Sequence, residues 1–154
     1  MPMPLTILAP VAGTVMAMSE IPGLVFAGEI VGPGLAIDPS RYGMVTAIAP
    51  VAGKIVKLHA HSYVIVAEGT RGALVHLGLD TVQLGGTGFT LHVAEGDSVA
   101  AGEVVVSWNP SEIEAGGRSP ICPVIAPEGV PGAVTALVAP GGLVCAGDPL
   151  FEWA

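Results

Sequence analysis

Positive charge is scarce in this sequence: 154 residues carry five Lys and Arg against 13 Asp and Glu, for a net charge of −8. Nucleic-acid binding draws its affinity from clustered Lys and Arg that neutralise phosphates, so that class is excluded. Cysteine is nearly absent too. Cys122 and Cys145 match no metal or redox spacing, and each is expected to be a small buried hydrophobe. The chain also lacks an uninterrupted apolar run. Its best candidate for a membrane span, Gly129 to Gly147, is broken by Pro131, Pro140 and five glycines, whereas a helix in lipid must satisfy its backbone internally. No basic stretch precedes the apolar residues near Met1-Pro2-Met3-Pro4, so no secretory signal is expected and a cytoplasmic location is.

What is abundant is apolar surface and turn chemistry. Hydrophobic residues make up 51% of the chain and charged ones 12%, with 22 Gly and 14 Pro and a mean hydropathy of +0.71. Disordered chains have the opposite balance, and frequent Gly and Pro break long helices. One domain, spanning residues 1–154, with a sizeable core is expected. Strand-like runs recur between turn residues: Leu24–Ile30, Met44–Ile48, Lys54–Leu58, Ser62–Ala67, Ala73–Leu77, Thr90–Val93 and Val104–Trp108. The expected fold class is all-β, an antiparallel sandwich or barrel with at most short helical turns. One such turn is expected at Pro110 to Ala115, capped by Asn109 and ended by Gly116-Gly117.

Two internal echoes suggest hairpin motifs used twice. Ala9-Pro10-Val11-Ala12-Gly13-Thr14-Val15 recurs as Ala49-Pro50-Val51-Ala52-Gly53-Lys54-Ile55, and Val93–Gly102 recurs as Val138–Gly147. The shared glycines are expected where φ must turn positive. Lipoyl and biotinyl carriers use similar turns but need a modifiable Lys at a hairpin tip. Lys54 and Lys57 fall within an expected strand instead.

Of the four histidines, His59, His61, His76 and His92, two are related by a hairpin. With a two-residue loop at Glu68-Gly69, His61 and His76 face each other across the ladder, Cβ atoms roughly 4.5–5.5 Å apart. A one-residue slip would send them to opposite faces. A neutral imidazole is nucleophilic at neutral pH and can attack phosphorus in line. A neighbouring imidazole N–H can donate to the oxygens on which charge accumulates. His76, on an apolar strand running into Gly78, is the better nucleophile, because an apolar rim keeps water from the labile N–P bond. Asp80 could orient the ring or cap the turn.

These residues resemble a known family. His61-Ser62-Tyr63, Leu74-Val75-His76-Leu77-Gly78-Leu79-Asp80-Thr81-Val82 and Gly86-Thr87-Gly88-Phe89 look like the glucose-type enzyme IIA (EIIA) of the bacterial sugar phosphotransferase system. So do Val25–Gly34, Ala49–Gly53 and Ser119–Val124, the last with Trp108-Asn109-Pro110 most similar to actinobacterial members. The resemblance implies a β-sandwich phosphocarrier. His76 matches its phosphorylated residue, a tele-phosphohistidine, and His61 matches the neighbour that stabilises the transferring group. It implies the histidine-containing phosphocarrier protein as donor and the IIB domain of a glucose- or N-acetylglucosamine-type permease as acceptor. The family's docking face maps onto Val25, Phe26, Val31, Tyr63, Leu74 and Val82. No cofactor is required, although two adjacent imidazoles at His61 and His76 could hold zinc incidentally. The family often has an acidic residue where this chain has Gly23, and a Thr where it has His59; His92 matches no family site and is expected on a surface strand.

A rival reading is a lysostaphin-like zinc peptidase. His59-Ala60-His61, His76 and Asp80 superficially supply its H-x-H and H-x-x-x-D elements, in reversed order along the chain.

Overall fold

A computed structural model describes residues 4–21, 32–67 and 71–154. Among them are β1 (Leu5–Leu8), β2 (Gly13–Ala17), β3 (Gly34–Pro39), β4 (Val45–Ile48), β5 (Gly53–His59), β6 (Ser62–Val66), β7 (Gly72–His76), β8 (Phe89–Leu91), β9 (Ser98–Val99) and β10 (Val104–Trp108). Helix α1 (Pro110–Ala115) follows, then β11 (Cys122–Ile125), β12 (Val134–Ala136), β13 (Leu143–Val144) and β14 (Pro149–Trp153). An antiparallel eight-stranded sheet runs β13-β2-β3-β11-β7-β6-β5-β9, and two antiparallel three-stranded sheets run β1-β14-β12 and β4-β10-β8. Leu24–Ile30 lies outside the described residues. The other expected strands form with ends shifted by a residue or two, and α1 forms with Asn109 Oδ1 accepting from Ser111 N at 3.0 Å.

The sequence echoes are two halves related by a pseudo-twofold axis. Gly13 faces Val144 as Gly53 faces Val99. Val15 N donates to Gly142 O and Ile55 N to Asp97 O, at 2.8 and 2.9 Å. Trp153 bridges Leu5 and Val134 as Trp108 bridges Val45 and Phe89. The axis passes between the facing residues Val75 and Val124 at the centre of the large sheet.

Two kinds of glycine serve the echoes, and one departs from expectation. Gly96, Gly102, Gly141 and Gly147 have φ near +90° as turns require. Gly13 and Gly53 are not among the positive-φ residues. A Cβ on either would sit 2.1 Å from a carbonyl oxygen of the neighbouring strand, Asp38 O or Val66 O. Close backbone approach, not φ, therefore requires glycine there.

Between the sheets lies a core containing Ile7, Val15, Ile55, Tyr63, Trp108 and Phe151, all essentially inaccessible. A smaller cluster of Met18, Ile21, Ala36 and Ile125 has Leu74, Leu79 and Ile121 packed on it. Cys122 is buried as expected, but Cys145 is exposed. It occupies a turn that Asp148 Oδ2 braces by accepting from its N–H, and the equivalent turn residue in the other half is Ala100.

A histidine pair as candidate functional site

Alternation along β6 and β7 decides which side chains reach the site. Tyr63, Ile65, Ala73 and Val75 point into the core, which leaves Val64, Leu74 and His76 on the opposite face. The register differs by one from the hairpin expected from sequence: His76 faces Ser62, and Tyr63 faces Val75. Ala67 N donates to Arg71 O at 2.8 Å, so the connection is a residue longer than Glu68-Gly69 alone would make it. His61 nevertheless meets His76. It lies in the tight turn Ala60-His61 that His59 and Ser62 close, outside the pleat, so the turn aims its side chain and not the strand alternation. The ring centroids are 5.1 Å apart at an interplanar angle of 65°. Gly86, in the Gly86-Thr87-Gly88-Phe89 motif, lies against this turn; a Cβ there would stand 3.6 Å from that of Ala60.

The His76 ring is oriented by a backbone carbonyl. Its Nδ1 lies 2.6 Å from Gly78 O, and a carbonyl oxygen only accepts, so Nδ1 carries the proton and the in-plane lone pair belongs to Nε2. That carbonyl is itself fixed. Gly78 has φ +82°, and a Cβ on it would meet Thr81 Cγ2 at 2.7 Å and Ser119 O at 3.0 Å. Thr81, fully buried, donates from Oγ1 to Leu77 O at 2.8 Å, and Leu79 N donates to Ser119 O at 2.8 Å. From sequence, Asp80 could orient the ring or cap the turn. Here Gly78 O holds the ring, while exposed Asp80, at φ +60°, acts on it through charge. Only the glycine in Leu77-Gly78-Leu79 hinted at this, because a carbonyl acceptor has no sequence signature.

Both imidazoles are held neutral. Burial pushes the His76 pKa below its ordinary value of 6.5, against the Gly78 bond and the Asp80 charge, which raise it. His61 is lowered by burial first, then by His76 and His59. Unfolded histidines titrate near 6.5, so the unfolded chain binds more protons just below that pH. The stability these rings contribute is present above about pH 6.5 and is lost as pH falls through their folded midpoints. An NMR titration of the ring protons is expected to give both midpoints below 6.5; a midpoint above it for His76 would contradict the burial argument.

The remaining expected site residues divide. Val82 is 62% exposed, and Leu74 is half-buried beside the smaller apolar cluster. Tyr63 is not on a docking face: it is 1% exposed, in the core, and its hydroxyl donates to Ile48 O at 2.7 Å. The odd positions of β6 point inward, which the resemblance alone does not reveal. Val25, Phe26, Val31 and Gly23 lie outside the described residues. His92 is exposed just after β8, with Nε2 2.6 Å from Ser107 Oγ, away from the pair. His59 joins the site instead, stacking on His61 at 5.6 Å. Among the described residues no group of three or more His, Cys, Asp or Glu side chains is placed to hold a metal, so the peptidase reading fails on ligand geometry.

The chain matches the family model for the phosphoenolpyruvate-dependent sugar phosphotransferase system, EIIA 1, over residues 5–129. It is 40% identical over 126 residues to the glucose-specific EIIA component of Oceanobacillus iheyensis, covering 80% of this chain and 74% of that one. The corresponding Bacillus cereus component is 41% identical over 122 residues, covering 78% and 72%. The structure of glucose permease IIA from Mycoplasma capricolum superposes with a TM-score of 0.85 at 31% identity, covering 98% of this chain and 96% of that one. None of these relatives is a peptidase. The fold, the paired imidazoles and the matched sequence together make this chain a member of the EIIA type-1 family, a phosphocarrier component of the sugar phosphotransferase system.

Proposed function

We propose that His76 Nε2 is the phosphoryl acceptor, giving a tele-phosphohistidine, and that His61 stabilises the group in transit. The observation that supports this most is the Nδ1–H···O contact to Gly78, which commits the lone pair to Nε2. As the donor's N–P bond breaks and the Nε2–P bond forms, positive charge develops on the ring and strengthens the Nδ1–H bond to the carbonyl. No proton need leave His76. In the onward step the ring departs as neutral imidazole, a good leaving group, which suits a relay and not a hydrolase.

The donor on this reading is the histidine-containing phosphocarrier protein. The acceptor is a cysteine on the IIB domain of a glucose- or N-acetylglucosamine-type permease, as the glucose-specific relatives suggest. Both encounters occur in the cytoplasm, on the apolar surface near Leu74 and Val82. Transient docking sites are apolar patches with polar rims. The test is incubation with phosphoenolpyruvate, enzyme I and the histidine phosphocarrier. The protein should take one acid-labile, base-stable phosphoryl group and surrender it to a IIB domain. A protein that takes none, or passes none on, is not this relay.

A further inference from the structure

His61 has an unusual support for a side chain that must hold a transferring group. It projects from a two-residue turn whose backbone is anchored, His61 O accepting from Leu77 N at 2.7 Å, but strand alternation does not set the direction of its side chain. It meets the His76 ring edge-on at 5.1 Å. It also meets His59, the last residue of β5, whose ring stacks on it at 5.6 Å and 22° from parallel. Both separations fall in the range where aromatic rings attract through offset-stacked or edge-to-face contacts. His59 is exposed and its backbone closes the turn against Ser62, so neither core packing nor a catalytic contact accounts for its ring.

We propose that His59 is a positioning residue for phosphoryl transfer: its stacked ring holds His61 against His76, so that the His61 N–H meets the transferring oxygens in a fixed geometry. The inference rests on the His76–His61 relay proposed above and adds a third ring to it. Transfer catalysis is chiefly a matter of position, and a displacement of about 1 Å in a supporting group can cost about a hundredfold. An exposed stack is a modest restraint, so its loss should cost far less than loss of His61. His59 also bears on His61 by charge, helping to keep that ring neutral.

The experiment is single-turnover discharge of the phosphorylated protein to a IIB domain, with His59→Ala and His59→Phe in the wild-type and His61→Gln backgrounds. His59→Ala should slow discharge roughly three- to tenfold, in line with a stacking contact. His59→Phe, which keeps a flat ring without the nitrogens, should recover to within about twofold if stacking is the operative feature. In the His61→Gln background His59→Ala should add nothing, because it acts through a ring no longer present. An NMR titration gives an independent readout: both His59 variants should raise the His61 midpoint, since each removes the same charge. Discharge at the wild-type rate in His59→Ala, failure of His59→Phe to recover, or an equal loss in the His61→Gln background would each overturn the inference. A wild-type protein that takes no label refutes the relay itself, and a labelled wild type with an indifferent His59→Ala refutes this inference alone.

Discussion

His76→Ala should take up no phosphoryl group under conditions that label the wild-type protein fully, a loss of at least about a thousandfold in rate. The expectation follows from the geometry of one ring. His61 sits beside it, but among the described residues no carbonyl braces its ring as Gly78 O braces Nδ1 of His76. A residual label on His61 would have to form on a ring without that brace. His76 ends a strand and is only half-buried, so truncation leaves the core intact. His76→Gln fills more of the space and should be equally unlabelled. Because the substitution leaves Leu74 and Val82 of the proposed docking surface in place, excess His76→Gln should also compete with wild-type protein for the proposed donor. Retention of acid-labile label on either variant would move the acceptor away from His76.

A single sequence displays some features of this fold and site and hides others. Strand existence, the capped turn at Pro110–Ala115 and the duplication were visible, because alternation, Asn-Pro capping and Gly spacing are local signals. The β6–β7 register was not. It depended on one residue of loop length, and the shift put Ser62 where His61 was expected. The two rings meet anyway, for a reason the hairpin argument did not contain, namely that His61 belongs to the preceding turn. The resemblance puts Tyr63 on the docking face, whereas its hydroxyl is buried and bonds Ile48 O, 15 residues away in sequence, a contact the motif does not display. Gly78 O was invisible, since any residue supplies a carbonyl and only the fold aims it. Gly13 and Gly53 stood out, but for the wrong cause: the backbone of the next strand, at Asp38 O and Val66 O, approaches too closely for a Cβ, and the turn pattern alone does not display that approach.

His61→Gln should accept the phosphoryl group on His76 but discharge it to a IIB cysteine about 100- to 1,000-fold more slowly, equivalent to roughly 3–4 kcal/mol of transition-state stabilisation. Gln keeps an N–H donor but cannot become a cation, and the two half-reactions ask different things of this position. On the proposed relay the nucleophile of the loading step is neutral imidazole, which approaches the phosphoryl dianion without charge repulsion. In the discharge step a thiolate approaches the same dianion, and the added negative charge must be offset nearby. His61 can meet that need because its protonation answers to its surroundings. In the unphosphorylated protein burial and the flanking imidazoles lower its pKa and keep it neutral. A dianion on His76 reverses the sign of the local field and should raise that pKa, making the ring a stronger donor when the phosphoryl group must leave. The same NMR titration repeated on the phosphorylated protein should therefore show the His61 midpoint moving upward. If that midpoint stays put, or if His61→Gln discharges as fast as wild type, a hydrogen bond alone suffices and the charge of His61 plays no part in the transfer.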